Sequence, residues 1–137
     1  MNEIEAIDAM FDVVRVGIPT SVGVSNIAWQ DLRFDPPDAP WVRVSTQHDA
    51  STQLSFGAPG ISRKFRRSGG LTVQCFVPAK GGSIIDVMTI AREVKNLFEG
   101  NTIAGIRYYD AGIREAAATP EWLQANVTVT FQYDELK

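Results

Sequence analysis

Residues 66–100 read RRSGGLTVQCFVPAKGGSIIDVMTIAREVKNLFEG, and two hydrophobic periods meet inside them. Leu71–Val77 alternates, sending Leu71, Val73, Cys75 and Val77 to one side and Thr72, Gln74 and Phe76 to the other, which is the period of a half-buried strand. Pro78 closes it, because proline has no N–H to give to a ladder. From Ser83 to Phe98 the period becomes helical: Ile84, Val87, Met88, Ala91, Val94 and Phe98 form one stripe. Ser83 with Asp86 makes a capping box at the start, and Gly100 supplies the stop. A strand followed by a capped helix that packs on the sheet is the unit from which the rest of the chain is read.

Upstream, Trp41–His48 (WVRVSTQH) alternates in the same way, with Val42, Val44, Thr46 and His48 on one face. Between this strand and the next lies Asp49–Gly70, rich in Ser, Gly and Arg and far longer than the ~2–5 residues of an ordinary hairpin loop. It is predicted to be a mobile arm, either an extended hairpin or a loop. Ile4, Ile7, Met10 or Phe11, and Val14 recur at helical spacing, with Glu3, Glu5, Asp8 and Asp12 on the opposite face, so a first amphipathic helix is predicted, ending before Gly17 and Pro19. Residues 21–40 are turn-rich, with Pro36, Pro37 and Pro40, and leave room for one short strand near Ile27–Trp29. Downstream, Ile103–Tyr109 and Ala125–Tyr133 read as strands, the second with Val127, Val129, Phe131 and Tyr133 facing in. Strands and helices follow one another without repeated βα units. The predicted fold is therefore α+β: a mixed, mainly antiparallel β-sheet with two main helices packed on one face and a long hairpin arm, in a single domain over residues 1–137.

Composition narrows the function. The chain is 45% hydrophobic and 21% charged with a formal net charge of −3, which argues against a surface wholly given to nucleic acid. The average hides a pattern. Residues 1–50 carry −5, residues 51–100 carry +4 and residues 101–137 carry −2. Acidic ends around a basic middle suit self-association, the positive region of one copy against the negative region of the next. The lone Cys75 excludes an intrachain disulfide. The acidic start MNEIEAIDAM and the lack of an apolar run of about 18 residues predict a soluble, unexported protein made in the cytoplasm, with no membrane partner.

Little in the sequence points to catalysis. One histidine and one cysteine cannot build a two-histidine metal site, a zinc cluster or CxxC chemistry, so neither metal nor other cofactor is expected. No GxSxG elbow accompanies His48. Gly69-Gly70 and Gly81-Gly82 lack phosphate-loop spacing, Asp8 and Asp12 fit a solvated helix face, and Arg107 and Arg114 are too sparse to turn Tyr108 and Tyr109 into a base-stacking platform. What stands out is the run Arg63, Lys64, Phe65, Arg66 and Arg67. Strand alternation splits it, Arg63, Phe65 and Arg67 to one side and Lys64 and Arg66 to the other, which is poor geometry for one groove of a nucleic acid. Contact with another protein is the preferred reading, and a small nucleic-acid-binding module using the basic arm 63–67 is the alternative.

The layout as a whole resembles the tail terminator proteins of long-tailed bacteriophages, also called minor tail or tail-completion proteins. The resemblance is carried by an acidic first helix, the approach WQDLRFDPPDAPWVRV, a basic arm running into RRSGGLTVQCFVPAKGG, a helix IAREVKNLFEG and the ending WLQANVTVTFQYD. It implies a non-enzymatic structural role in the virion neck. Members of that family form rings, typically hexamers, that cap the tail tube, stop its polymerisation and offer a surface to the head-completion or connector protein, while DNA passes through the channel without specific binding. In that setting Arg63, Lys64, Phe65, Arg66 and Arg67 are expected at a subunit or tail-tube interface.

Overall fold

A computed structural model of the chain describes residues 1–57 and 62–137. Two helices and six strands follow one another as α1 (Glu3–Gly17), β1 (Ile27–Trp29), β2 (Trp41–Gln53), β3 (Lys64–Pro78), α2 (Ile84–Phe98), β4 (Thr102–Ile103), β5 (Ile106–Glu115) and β6 (Trp122–Leu136). They make one sheet in the order β1-β2-β3-β6-β5-β4, antiparallel throughout except for the parallel pair β1 and β2. The α+β architecture with both helices on one face is as the sequence predicts.

Leu71, Val73, Cys75 and Val77 of β3 are all buried, beside Ala125, Val127, Val129 and Phe131 of β6. Helix α2 covers them with Val87, Ile90, Ala91, Val94 and Phe98, and Phe98 meets the Tyr108 ring edge-on at a centroid distance of 4.9 Å. Complete burial of aliphatic and aromatic side chains is worth about 1.5–3 kcal/mol each, so this stripe is the main anchor of α2. It differs from the predicted stripe at its start: Ile90 is buried, whereas Ile84 is exposed and Met88 only half-buried. Ser83 and Asp86 form the expected reciprocal capping box.

Helix α1 buries Ala6, Met10 and Val14, spaced by four, while Ile4 is 79% exposed. Apolar residues surround this helix, and the small Ala6 permits a close approach that Ile4 would not. The helix runs through Gly17, one residue past the predicted end, and a Cβ at that position would meet the Leu97 side chain of α2. The predicted strand over Ile103–Tyr109 is split by a tight turn. Ala104 and Gly105 both take positive φ (53° and 82°) and fold Thr102–Ile103 back on Ile106–Arg107, the signature of a two-residue hairpin.

The predicted arm is ordered sheet in all of its paired residues, and residues 58–61 lie outside the described ones. β2 and β3 stay paired from Trp41 opposite Phe76 out to Gln53 opposite Phe65, and β6 flanks β3 as far as Leu136 opposite Lys64. The projection is thus a three-stranded blade rather than a free hairpin. The ladder bends across one line. Register shifts fall between His48 and Ala50 in β2 and between Tyr109 and Gly112 in β5, and Gly69 lies between them in β3. A Cβ at Gly69 would strike the Gln47 carbonyl oxygen and the Phe131 ring, so only glycine fits. Beyond this line the strands carry RKFRR.

Candidate functional site

The alternation within the basic run is as the strand period predicts, and it assigns the residues to two faces. Lys64 and Arg66 lie on the face without helices, where both meet Asp134 of β6, at 3.3 and 3.0 Å. Phe65 and Arg67 lie on the helix face. Arg67 donates to Glu135 at 2.9 Å, lies 3.4 Å from Glu3 at the start of α1, and donates to the Ser51 hydroxyl of β2. Its guanidinium also rests 5.1 Å over the Phe65 ring. Arg63 exchanges two backbone hydrogen bonds with Lys137, and its side chain is exposed with no ion pair among the described residues.

Three cations of the run therefore face three carboxylates of the same chain. Arg66 first, then Lys64, holds the Asp134 carboxyl below its usual range by hydrogen bonding, and Arg67 does the same for Glu135. The reciprocal hydrogen bonds raise Arg66 and Arg67. Burial pushes the neighbouring Tyr133 hydroxyl up to about 12. The acidic ends and basic middle that suggested contact between copies are matched here within one copy, along the blade. What they stabilise first is the blade itself, because they tie α1, β2, β3 and β6 together at one point.

The other residues singled out by sequence are scattered. His48 sits at the bend with Nε2 2.8 Å from the Tyr133 hydroxyl and its ring 5.0 Å from Phe131. Cys75 is buried, and burial pushes its thiol up to about 12, leaving almost no thiolate at neutral pH. Asp8 and Asp12 are exposed on α1, and Asp12 pairs with Arg15 at 2.9 Å. Tyr108 is buried while Tyr109 shows on the open face. Among the described residues no group of three or more His, Cys, Asp or Glu side chains is placed to hold a metal, and no helix is long and apolar enough to cross a membrane.

A surface that the sequence reading missed is the open face of the sheet. Residues paired across β2, β3, β6 and β5 share a face, and this one carries Arg43, Lys64, Arg66, Arg107 and Arg114 against a single carboxylate, Asp134. Its balance is +4 in a chain of −3. The rest of it is mostly Thr, Ser, Gln and Asn, with Ala50, Tyr109 and Leu136 among them, except for one end, where Trp41 stacks on Phe76 at 4.1 Å and meets Trp122 edge-on. The five cations span 71 positions, with 41 between Arg66 and Arg107, so only the register brings them together.

No family model and no curated protein matches the sequence. Fourteen solved chains match in structure. One of them, whose name says nothing of its role, superimposes with a TM-score of 0.68 at 19% identity, over 97% of this chain and 96% of its own. At that identity the likeness speaks to the fold alone.

Proposed function

We propose that this chain is a structural virion protein whose copies close into a ring, a hexamer in the preferred reading, on the end of a phage tail tube. The ring ends tube polymerisation and presents the surface that the head-completion or connector protein joins, so that the protein resides in the neck of the particle and needs no cofactor. The resemblance in layout suggests the role. The structural observation that carries it is the blade, a three-stranded extension of the sheet braced along its length by ion pairs, with Leu54 and Phe56 exposed at its far end. Exposed apolar side chains at the end of such an extension suit a subunit that meets a neighbour.

The matched charges change what Arg63, Lys64, Phe65, Arg66 and Arg67 do in this role. Lys64, Arg66 and Arg67 act by holding the blade straight, and Arg63 is the cation still available to another surface. Electron microscopy of tail tubes mixed with the purified chain tests the proposal. Capped tube ends of uniform length are expected, and tubes that continue to grow in excess protein would refute it.

A second reading, a small nucleic-acid-binding module, is favoured by the open face rather than by the basic run. Four net charges against phosphates would lose roughly two orders of magnitude of affinity between 50 and 200 mM salt. Fluorescence anisotropy with a DNA duplex separates the readings: submicromolar binding that persists at 200 mM salt supports the module, and weak, salt-erased binding fits a channel wall past which DNA slides.

A further inference from the structure

We infer that the open face of the sheet binds single-stranded nucleic acid, with Arg43, Arg107 and Arg114 on its phosphates and Tyr109 stacked on a base. The inference rests on the nucleic-acid reading of this face and names the form of the ligand and the residues that take it. Arg43 of β2 and Arg114 of β5 share one row of the register, through Gln74 and Asn126, and stand about 14 Å apart across three strand spacings. Arg107 lies opposite Gln132, about 20 Å further along β6. All three are exposed, and none forms an ion pair among the described residues. The acids near them do not cancel this charge. Asp134 is taken by Lys64 and Arg66, while Asp31, which shares a cleft with Arg43, and Asp110, in the β5 bulge, pair with none of the three.

Tyr109 lies between the two rows of cations, opposite Thr130, half-buried and paired with no other ring among the described residues. By sequence Arg107 and Arg114 are too sparse to make this tyrosine a stacking platform; the register supplies Arg43 on the far side and completes it. Beside the ring the surface is low. Gly70 falls in the Tyr109 row and Gly112 in the next, and a Cβ at either would have open space around it, between Ser45, Thr72, Thr128 and Thr130. A duplex offers its base edges only to an element that protrudes into a groove, and nothing protrudes from a floor of Gly, Ser and Thr. A single strand bares its bases, which can lie on the tyrosine while Gln and Asn amides meet their edges and the arginines hold the backbone.

Fluorescence anisotropy with a labelled oligothymidylate of about 12 nucleotides, within the usual range of such sites, and with a duplex of equal length tests the inference. Charge density alone favours the duplex, so single-strand binding at least about tenfold tighter is the expected result. Equal or tighter duplex binding overturns the inference and leaves the nucleic-acid reading standing. Binding of neither at about 100 μM protein overturns both, and polyglutamate held as tightly as the single strand also overturns the inference. Tyr109→Ala should weaken single-strand binding at least about fivefold, as loss of one stacked base does, and Tyr109→Phe should restore it. Arg107→Gln and Arg114→Gln should each reduce the salt slope by about 0.7, the share of one phosphate on a single strand, while Arg92→Gln, exposed on α2, should leave it unchanged. An unaffected Tyr109→Ala protein, or a slope that responds equally to all three arginines, overturns the assignment.

Discussion

Replacing Gly69 by Ala adds one methyl group in the most crowded part of the sheet. The methyl meets the Gln47 carbonyl oxygen, the His48 Cα and the Phe131 ring, two of which are backbone and the third fully buried, so none of them yields cheaply. Overpacking of this kind costs about 3 kcal/mol, the upper part of the usual range, because backbone must shift. Unfolding entropy near 2.1 cal/mol/K per residue gives this chain about 0.3 kcal/mol/K, so the melting temperature should fall by roughly 10 °C. Gly70 is the internal control. Its added methyl would point to the open face, with the Val129 carbonyl oxygen at 4.0 Å as its nearest neighbour. Gly70→Ala should therefore be neutral or stabilising by up to about 1 kcal/mol, through lost freedom of the unfolded chain. Circular dichroism melts of the two variants decide the matter. Equal losses, or a Gly69→Ala protein within about 2 °C of the parent, would refute the bend-line argument, and with it the reason for the Gly-Gly pair.

Acid should loosen the blade before the core. Asp134 and Glu135 have folded values below their ordinary 3.8 and 4.5, so their contribution is complete above the ordinary values and disappears as pH falls through the folded ones. Melting temperature is expected to drop below about pH 4.5, and to drop less steeply in a D134N/E135Q protein. Phe98→Ala removes the ring that packs on Tyr108 and should cost about 3–5 kcal/mol in urea unfolding. Cys75 should react with a disulfide reagent only on the time scale of global unfolding, since its sulfur is buried; fast labelling of the native protein would contradict its place in the core.

Much of the fold was legible because its strongest signals are local. The Ser83–Asp86 box and the Leu71–Val77 alternation depend on neighbours in sequence, and both stand where the periods put them. What escaped depends on pairing. The alternation that marks β6 in the sequence covers Ala125–Tyr133, yet the strand spans Trp122–Leu136 and takes in Asp134 and Glu135. Their partners sit 68 positions away in β3, and no single-sequence pattern announces that distance. The Ala104–Gly105 turn hid inside an apolar-looking run, and the basic open face exists only once four strands are in register. The one candidate cluster was thus visible as composition, while its neutralisation was not.

The late arrival of β6 has a consequence for how the chain reaches this state. β2 and β3 are separated by a short span and can pair early, whereas β3 and β6 join residues up to 72 positions apart, a costly loop to close. Until β6 docks, one long edge of β3 is bare, the kind of edge that recruits strands from other molecules. During that interval Lys64, Arg66 and Arg67 have no carboxylates from β6 beside them, so every nascent edge repels every other. Docking of Asp134 and Glu135 cancels the repulsion when it is no longer needed. If the run RKFRR guards the bare edge in this way, a K64Q/R66Q/R67Q protein is expected to lose more material to aggregation on refolding, measured by light scattering at equal concentration; equal losses would refute the idea.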